Sequence, residues 1–67
     1  MKVRDAEVIR RLRQRRGLSQ RDLAYLCGCS QATISLIERG EMAGVSEELS
    51  QRIAVRLQTP WDDLFVD

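Results

Sequence analysis

The sequence predicts an all-α fold of five short helices, and three observations support that fold class. Apolar residues recur at spacings of three and four along the chain, and no stretch shows the sustained alternation of a strand. Ser or Asp residues that favour helix N-termini precede the apolar stripes. Glycines follow several of the stripes, where helices often end. With 67 residues, the chain is expected to form a single domain over residues 1–67.

The first three predicted helices have recognisable starts and stops. The first runs from about Asp5, a plausible N-cap, to about Arg16, just before Gly17. Ser19 opens the second with a capping-box pattern, and Gly28 lies where a left-handed C-terminal cap is expected. The inner stripe of the second helix consists of Leu23, Ala24, Leu26 and Cys27. Ser30 is the expected N-cap of the third helix, and Gly40 ends it.

The fourth and fifth predicted helices follow a loop that ends near Gly44. Ser46 starts the fourth helix, whose buried stripe has a spacing of four: Leu49, Ile53 and Leu57. Residues 59–62, Thr-Pro-Trp-Asp, look like a second capping-box start with Pro60 at the first helical position, which makes Thr59 the expected N-cap. Three apolar residues would fold this last turn onto the core: Trp61, Leu64 and Phe65.

Charge is unevenly distributed along the chain, although the net charge is only +1. Residues 1–26 hold eight basic and three acidic side chains, whereas residues 27–67 hold three basic and seven acidic ones. The basic end is expected to attract anions, although a solvated helix face would have the same composition. The overall balance is less basic than that of most nucleic-acid-binding domains.

Composition argues against an enzyme, a metal site and a membrane protein. The chain has no His, no nucleophile beside a base and no glycine loop that could cradle phosphate. We interpret its two cysteines, Cys27 and Cys29, as small buried residues beside a turn. No apolar run approaches the ~18 residues of a membrane span, and the charged N-terminus lacks a signal-peptide core. We therefore expect a cytoplasmic protein without a cofactor, metal, small-molecule ligand or membrane partner.

The join between the second and third helices carries the functional prediction. Ala24 is small where the two helices should cross closely, Gly28 permits a sharp reversal, and Ile34 would lock the third helix onto the second. Two short helices joined by a tight glycine turn form a helix-turn-helix unit, here about residues 19–38. This geometry leaves the outer face of the third helix free to enter a DNA major groove.

The outer face of the third helix is polar but uncharged, since it carries Gln31, Thr33 and Ser35. Side-chain amides and hydroxyls can pair with base edges, because amides match adenine and hydroxyls suit several bases. A small polar surface helix with no partner is the alternative interpretation.

The segment IRRLRQRRGLSQRDLAYLCGCSQATISLIERG resembles the helix-turn-helix of the lambdoid phage repressor and Cro family, the XRE type. The family pattern is roughly I-x-x-L-R, then G-L-S-Q-x-x-L-A, then G-x-S-x-x-x-I-S-x-x-E-x-G. Further on, AVRLQTPWDDLF is similar to the family's junction of the fourth and fifth helices. The resemblance covers about residues 5–66 and implies a compact five-helix lambda-repressor-like domain that binds double-stranded DNA.

The resemblance also implies roles for individual residues. Gln31 would contact a base, with adenine expected, at the start of a recognition helix over residues 31–38. Leu36 would pack against a thymine methyl group or else remain a solvent-exposed side chain. Three further residues would line the groove: Ala32, Thr33 and Ser35.

Phosphate contacts are implied at the edges of this unit. Gln20 would hold a phosphate at the start of the second helix, where the helix dipole also contributes. Arg39 would touch the DNA backbone from the loop. Further phosphate candidates, for which a solvated role is the alternative, are Arg10, Arg16 and Arg21, whereas mostly solvated side chains are expected at Arg4, Arg11 and Arg15.

The remaining implied roles are structural. Arg13 and Glu38 resemble the family's pair joining the first helix to the end of the third, although such an arginine can also face a phosphate. The other residues with an expected structural role are Ala24, Gly28 and Ile34. Two departures from the family pattern stand out: the loop EMAGV lacks the basic residues of several relatives, and Pro60 replaces the usual Ser cap. Modest DNA affinity is therefore expected unless another surface compensates.

These observations predict a sequence-specific DNA-binding transcriptional regulator, of phage repressor or Cro type, that occupies an operator and obstructs polymerase. One recognition helix reads few base pairs, so two copies are expected on a near-palindromic site. The two copies would form a dimer through the fourth and fifth helices, or form a dimer only on DNA. The remaining alternative is that each copy binds one of two paired sites as a monomer. The alternative function is a protein-binding module of antitoxin or anti-repressor type, in which the acidic C-terminal half meets a basic partner.

Overall fold

Five helices and one two-stranded sheet make up the computed structural model, which describes all 67 residues. In chain order, the elements are β1 (Lys2–Val3), α1 (Ala6–Arg15), α2 (Gln20–Cys27), α3 (Gln31–Glu38), α4 (Glu47–Arg56), α5 (Trp61–Leu64) and β2 (Phe65–Val66). The predicted five-helix architecture is confirmed, with a small sheet that the sequence pattern did not indicate. No helix combines the length and the apolar character that crossing a membrane requires.

Side-chain caps start four of the helices at the predicted residues. The Asp5 carboxylate accepts a hydrogen bond from the first turn of α1. At α2, Ser19 and Asp22 form a complete capping box, in which each side chain accepts from the other residue's backbone N–H. Ser30 and Ser46 cap α3 and α4 with their hydroxyls, which accept from the N–H groups of Thr33 and Leu49. These bonds satisfy backbone N–H groups that have no partner inside the helix.

The predicted start of the fifth helix was wrong. Pro60 is the N-cap of α5, and no side chain caps this helix. The hydroxyl of Thr59 donates instead to the carbonyl of Leu57, at 3.0 Å, and Gln58 between them has a φ of +52°. This bond turns the Thr59 side chain back towards the end of α4, and the side chain makes no capping bond to α5.

Twelve buried apolar residues form one core to which all five helices contribute. Ile9 of α1, Leu23 of α2 and Ile34 of α3 are almost fully buried, and Ile53 of α4 closes the core from the opposite side. Burying each such side chain contributes about 1.5–3 kcal/mol of transfer free energy. Leu26 was predicted on the inner stripe of α2, but it is only half-buried and lies outside the core cluster.

The small sheet ties the two ends of the chain together. β1 and β2 pair antiparallel, with Lys2 opposite Val66 and Val3 opposite Phe65. Arg4, expected to be solvated, donates from Nε to the backbone carbonyl of Asp62 at 2.7 Å. This contact holds α5 and the start of the chain against each other.

Candidate nucleic-acid interface

The turn between α2 and α3 has the geometry of a helix-turn-helix unit. Gly28 caps α2 in the left-handed region, with φ +72° and ψ +33°, and its N–H donates to the carbonyls of Ala24 and Tyr25. The N–H of Cys29 also donates to Ala24, at 3.0 Å. A Cβ at Gly28 would meet only Arg52 Nη1, at 3.4 Å, so the backbone conformation, more than the available space, favours glycine.

Packing of α3 divides its residues into two faces. Ile34, Ile37 and Glu38 are buried against the rest of the chain. The five residues predicted to meet bases are not covered in this way, because Gln31 and Ala32 are exposed and three are half-buried: Thr33, Ser35 and Leu36. The fold therefore leaves the outer face of α3 accessible to a partner.

The polar side chains on this face differ in whether they form hydrogen bonds within the chain. The hydroxyls of Ser30 and Thr33 lie 2.9 Å apart, and Ser30 Oγ accepts from the Thr33 N–H at 3.1 Å, so both belong to the N-terminal cap of α3. The side chains of Gln31 and Ser35 make no hydrogen bond within the chain. Their donors and acceptors remain available for a ligand.

A buried hydrogen-bonded network joins α1, α2 and α3. Arg13 Nε donates to Glu38 Oε2 at 2.6 Å, and Arg13 Nη2 donates to Glu38 Oε1 at 3.0 Å. The third nitrogen, Nη1, donates to the carbonyl of Leu18 at 2.7 Å. Such two-pronged contacts between arginine and a carboxylate are both strong and directional. The network thus holds the end of α3 in a defined orientation relative to α1.

Gln20 extends this network to the start of α2, a contact that the sequence did not suggest. Its Nε2 donates to Glu38 Oε1 at 3.0 Å. The amide keeps one N–H and its carbonyl oxygen for another partner. Because the two residues are 18 positions apart, no local spacing signals the bond, and only the packing of α2 on α3 creates it.

The predicted phosphate-binding arginines lie on the surface with weak or no charged partners. Arg10 Nη1 is 3.6 Å from Glu7, and Arg39 Nε is 3.4 Å from Glu41, with both arginine side chains more than half exposed. Arg16 donates to the Gln58 side chain, and Arg21 is exposed without an ion pair. Exposed ion pairs contribute little free energy, about 0–1 kcal/mol, so a phosphate could displace these carboxylates.

The titratable side chains near the turn have no nucleophilic or metal-binding arrangement. Burial raises the pKa of the Cys27 thiol to about 11 and also raises the pKa of Cys29. Both thiols are therefore protonated at neutral pH and are weak nucleophiles. Hydrogen bonding to Ser19 holds the pKa of Asp22 below its usual value. The Ser19 backbone N–H has the larger effect and the Ser19 hydroxyl the smaller one. No cluster of three or more His, Cys, Asp or Glu residues is present.

Comparisons with known proteins agree with this geometry. A family model described as a helix-turn-helix domain matches residues 6–65. The restriction-modification controller protein C.AhdI from Aeromonas hydrophila is 33% identical, with a TM-score of 0.80 over 90% of this chain and 89% of that chain. PlcR from Bacillus thuringiensis, solved in complex with the peptide PapR7 and DNA, is 34% identical, with a TM-score of 0.79 over 87% of this chain and 20% of PlcR.

A third structure shares the fold at lower identity. The N-terminal DNA binding domain of SinR from Bacillus subtilis has a TM-score of 0.82 over 92% of this chain and 90% of that chain, at 22% identity. No curated protein sequence matches this chain significantly.

Proposed function

The chain belongs to the helix-turn-helix family of the XRE type, which includes the phage repressors and Cro proteins, and we propose that it is a cytoplasmic, sequence-specific transcriptional regulator that binds double-stranded DNA. The observation that carries this proposal is the uncovered outer face of α3, where Gln31 and Ser35 have no partner within the chain. The inner face of α3, formed by Ile34, Ile37 and Glu38, packs against the rest of the chain. The whole of residues 1–67 would act as one domain that presents α3 to the major groove.

Base reading is assigned to the outer face of α3. Gln31 lies in the first turn, and its free amide can both donate to N7 and accept from N6 of one adenine. Ser35, one turn further on, offers a hydroxyl that suits several bases. Thr33 would act mainly through the cap that it forms with Ser30. Each good bidentate contact contributes about 1–3 kcal/mol of discrimination against the wrong base.

Phosphate binding is assigned to residues around this helix. Gln20 and Arg21 lie at the N-terminus of α2, where the helix dipole favours an anion and the Arg21 guanidinium offsets the Asp22 carboxylate of the same turn. Arg39 is the C-cap of α3, whereas Arg10 and Arg16 lie on α1 and at its end. These contacts would position the domain without carrying sequence information.

The mode of action that we propose is that of a phage-type repressor or Cro protein, which occupies an operator and obstructs polymerase. Two copies would bind a near-palindromic site with half-sites about one helical turn apart. The face formed by α4 and α5 is the proposed contact between copies. There Val55 is 71% exposed and lines a groove with Pro60 and Trp61. The relatives support regulation, because C.AhdI is a controller protein and PlcR was solved with DNA.

A protein-binding module is the second candidate function, since Asp62, Asp63 and Asp67 form an exposed acidic end that could meet a basic partner. Duplex affinity measured from 50 to 200 mM salt distinguishes the two. Each phosphate that a Lys or Arg neutralises contributes about −0.9 to the slope of log affinity against log salt concentration. If the folded protein binds no duplex at 50 mM salt, the DNA proposal fails and the module is favoured. Selection from a random duplex pool then yields the operator, its symmetry and its half-site spacing.

A further inference from the structure

The Glu38 carboxylate accepts one more hydrogen bond than its ion pair with Arg13 requires. Its Oε1 atom accepts from both Arg13 Nη2 and Gln20 Nε2, each at 3.0 Å, and its Oε2 atom accepts from Arg13 Nε at 2.6 Å. The side chain of Glu38 is only 2% exposed, whereas Gln20 is half-buried. Glu38 therefore cannot reach a ligand itself, but it holds a side chain that can.

The carboxylate determines which end of the Gln20 amide faces the interior. A carboxylate paired with arginine accepts hydrogen bonds and offers no donor, so it must face Nε2 of Gln20 and not Oε1. The amide group is planar, and the direction of the second N–H on Nε2 is therefore set by the first. Phosphate oxygens also accept hydrogen bonds, so this second, free N–H is the part of Gln20 that suits the DNA backbone.

Arg13 makes a carboxylate acceptable beside a proposed phosphate site. An uncompensated negative charge there would repel the phosphate, but two hydrogen bonds from the Arg13 guanidinium offset it. An apolar pair of similar volume often gives equal or greater stability than a buried ion pair, so stability alone does not account for this one. What an apolar pair could not offer is an acceptor for Gln20.

We propose that Glu38 is a positioning residue for the DNA backbone contact, holding the Gln20 amide with its free N–H directed at a phosphate, an inference that rests on the proposed function. The bond between Glu38 and Gln20 orders the glutamine side chain before DNA binds. Less conformational entropy is then lost on binding, which corresponds to about two- to tenfold in affinity. Because phosphate contacts carry no sequence information, this gain is the same for operator and random duplexes.

The test is a double-mutant cycle built on an apolar replacement of the ion pair, Arg13→Met with Glu38→Leu. This replacement removes one charge of each sign, so the net charge of the protein is unchanged. It should weaken binding to operator and random duplexes alike by about two- to tenfold. In a Gln20→Ala background, the same replacement should cause no further loss. Gln14→Ala is the matched control background, in which the replacement should cause its full loss.

A second measurement uses the unmodified protein without DNA. Side-chain NMR relaxation compares the amide groups of Gln20 and Gln14, since the Gln14 side chain is exposed and makes no hydrogen bond within the chain. The Gln20 amide should be rigid and the Gln14 amide mobile, and the apolar replacement should make Gln20 mobile as well. Urea denaturation shows whether that variant is folded.

Three results would overturn the inference while leaving the proposed function intact. The first is an equally mobile amide at Gln20 and Gln14 in the unmodified protein, which decides the matter even if the apolar variant does not fold. The second is an apolar replacement that leaves affinity unchanged, or that weakens binding equally with and without Gln20. The third is a loss confined to the operator, which would mean that the ion pair acts on base reading by α3. Absence of duplex binding by the unmodified protein would instead remove the proposed function together with this inference.

Discussion

The helices α3 and α4 have similar inner faces but very different outer faces. Both begin with a serine cap and bury isoleucine residues in the same core. The first turn of α4 contains Glu47 and Glu48, and an exposed ion pair joins Glu48 to Arg52 one turn later. The first turn of α3 contains no acidic residue, and its last turn no basic one.

This difference reflects what each outer face meets. Acidic residues at the start of α4 compensate the helix dipole, which is the usual solution for a helix facing water. The same residues at the start of α3 would repel a phosphate backbone, so their absence leaves that helix end favourable for an anion. The comparison indicates that the first turn of α4 is adapted to solvent and supports the proposed DNA contact for α3.

The largest effect is expected from breaking the buried pair that holds α3, compared with the exposed pair on α4. Glu38→Ala leaves the Arg13 guanidinium buried without a charged partner and should lower the free energy of unfolding by about 3–5 kcal/mol. Glu48→Ala, which breaks the exposed pair, should change it by less than about 1 kcal/mol. Urea denaturation measures both, and equal losses would contradict the distinction between the two pairs.

The second-largest effect is expected from removing a glutamine side chain on the outer face of α3, compared with removing one on the outer face of α4. Gln31→Ala should weaken binding to the selected operator by about 1–3 kcal/mol and relax preference at one base pair, because the amide no longer contacts the base. Gln51→Ala on α4, where the amide bonds only to Glu47 and lies at the proposed contact between copies, should leave the preference at every base pair unchanged. Competition binding with cognate and random duplexes measures this. Equal weakening on both duplexes would refute base reading by Gln31.

The turn before α3 should tolerate substitution less well than the loop before α4. Gly28→Ala should lower the free energy of unfolding by about 1–2 kcal/mol, because a residue with a Cβ is strained at φ +72°. Gly44→Ala is the control, since that glycine has no positive φ and its nearest neighbour lies at 3.9 Å. Thermal melting compares them, and an unchanged melting temperature for Gly28→Ala would contradict the importance of the turn.

The smallest expected effect separates positioning from reading. Gln20→Ala removes one proposed phosphate contact and should weaken binding to all duplexes similarly, with the salt slope unchanged because the amide carries no charge and releases no counterion. Gln14→Ala on α1, where the amide is exposed and makes no hydrogen bond within the chain, serves as the control for loss of a surface amide. If Gln20→Ala instead changed base preference, the phosphate assignment would be wrong.

Much of the local structure could be predicted because its causes are local. Caps at Asp5, Ser19, Ser30 and Ser46 act within three residues, and the left-handed turn at Gly28 depends on one residue's freedom. The outer face of α3 was also predictable from helical spacing, although the base and phosphate roles of its residues remain predictions. Leu26 was misplaced because periodicity gives the direction of a side chain but not whether a neighbouring element covers it.

Contacts between distant positions were not predictable from local pattern, and the one that was expected, between Arg13 and Glu38, was implied by the family resemblance. The β1–β2 pairing joins the two ends of the chain through strands of two residues, too short to show any alternation. The Thr59 hydroxyl could have capped α5, but the turn at Gln58 directs it to α4.

The amino-acid sequence by itself determined where α1, α2, α3 and α4 begin, which face of each is apolar, and that α3 carries an uncharged outer surface. Tertiary structure decided that this surface stays uncovered, that Gln20 bonds to Glu38, and that the chain ends pair. The physical reason is range: caps, turns and helical periodicity act over a few residues, whereas exposure and long-range hydrogen bonds exist only once the helices have packed.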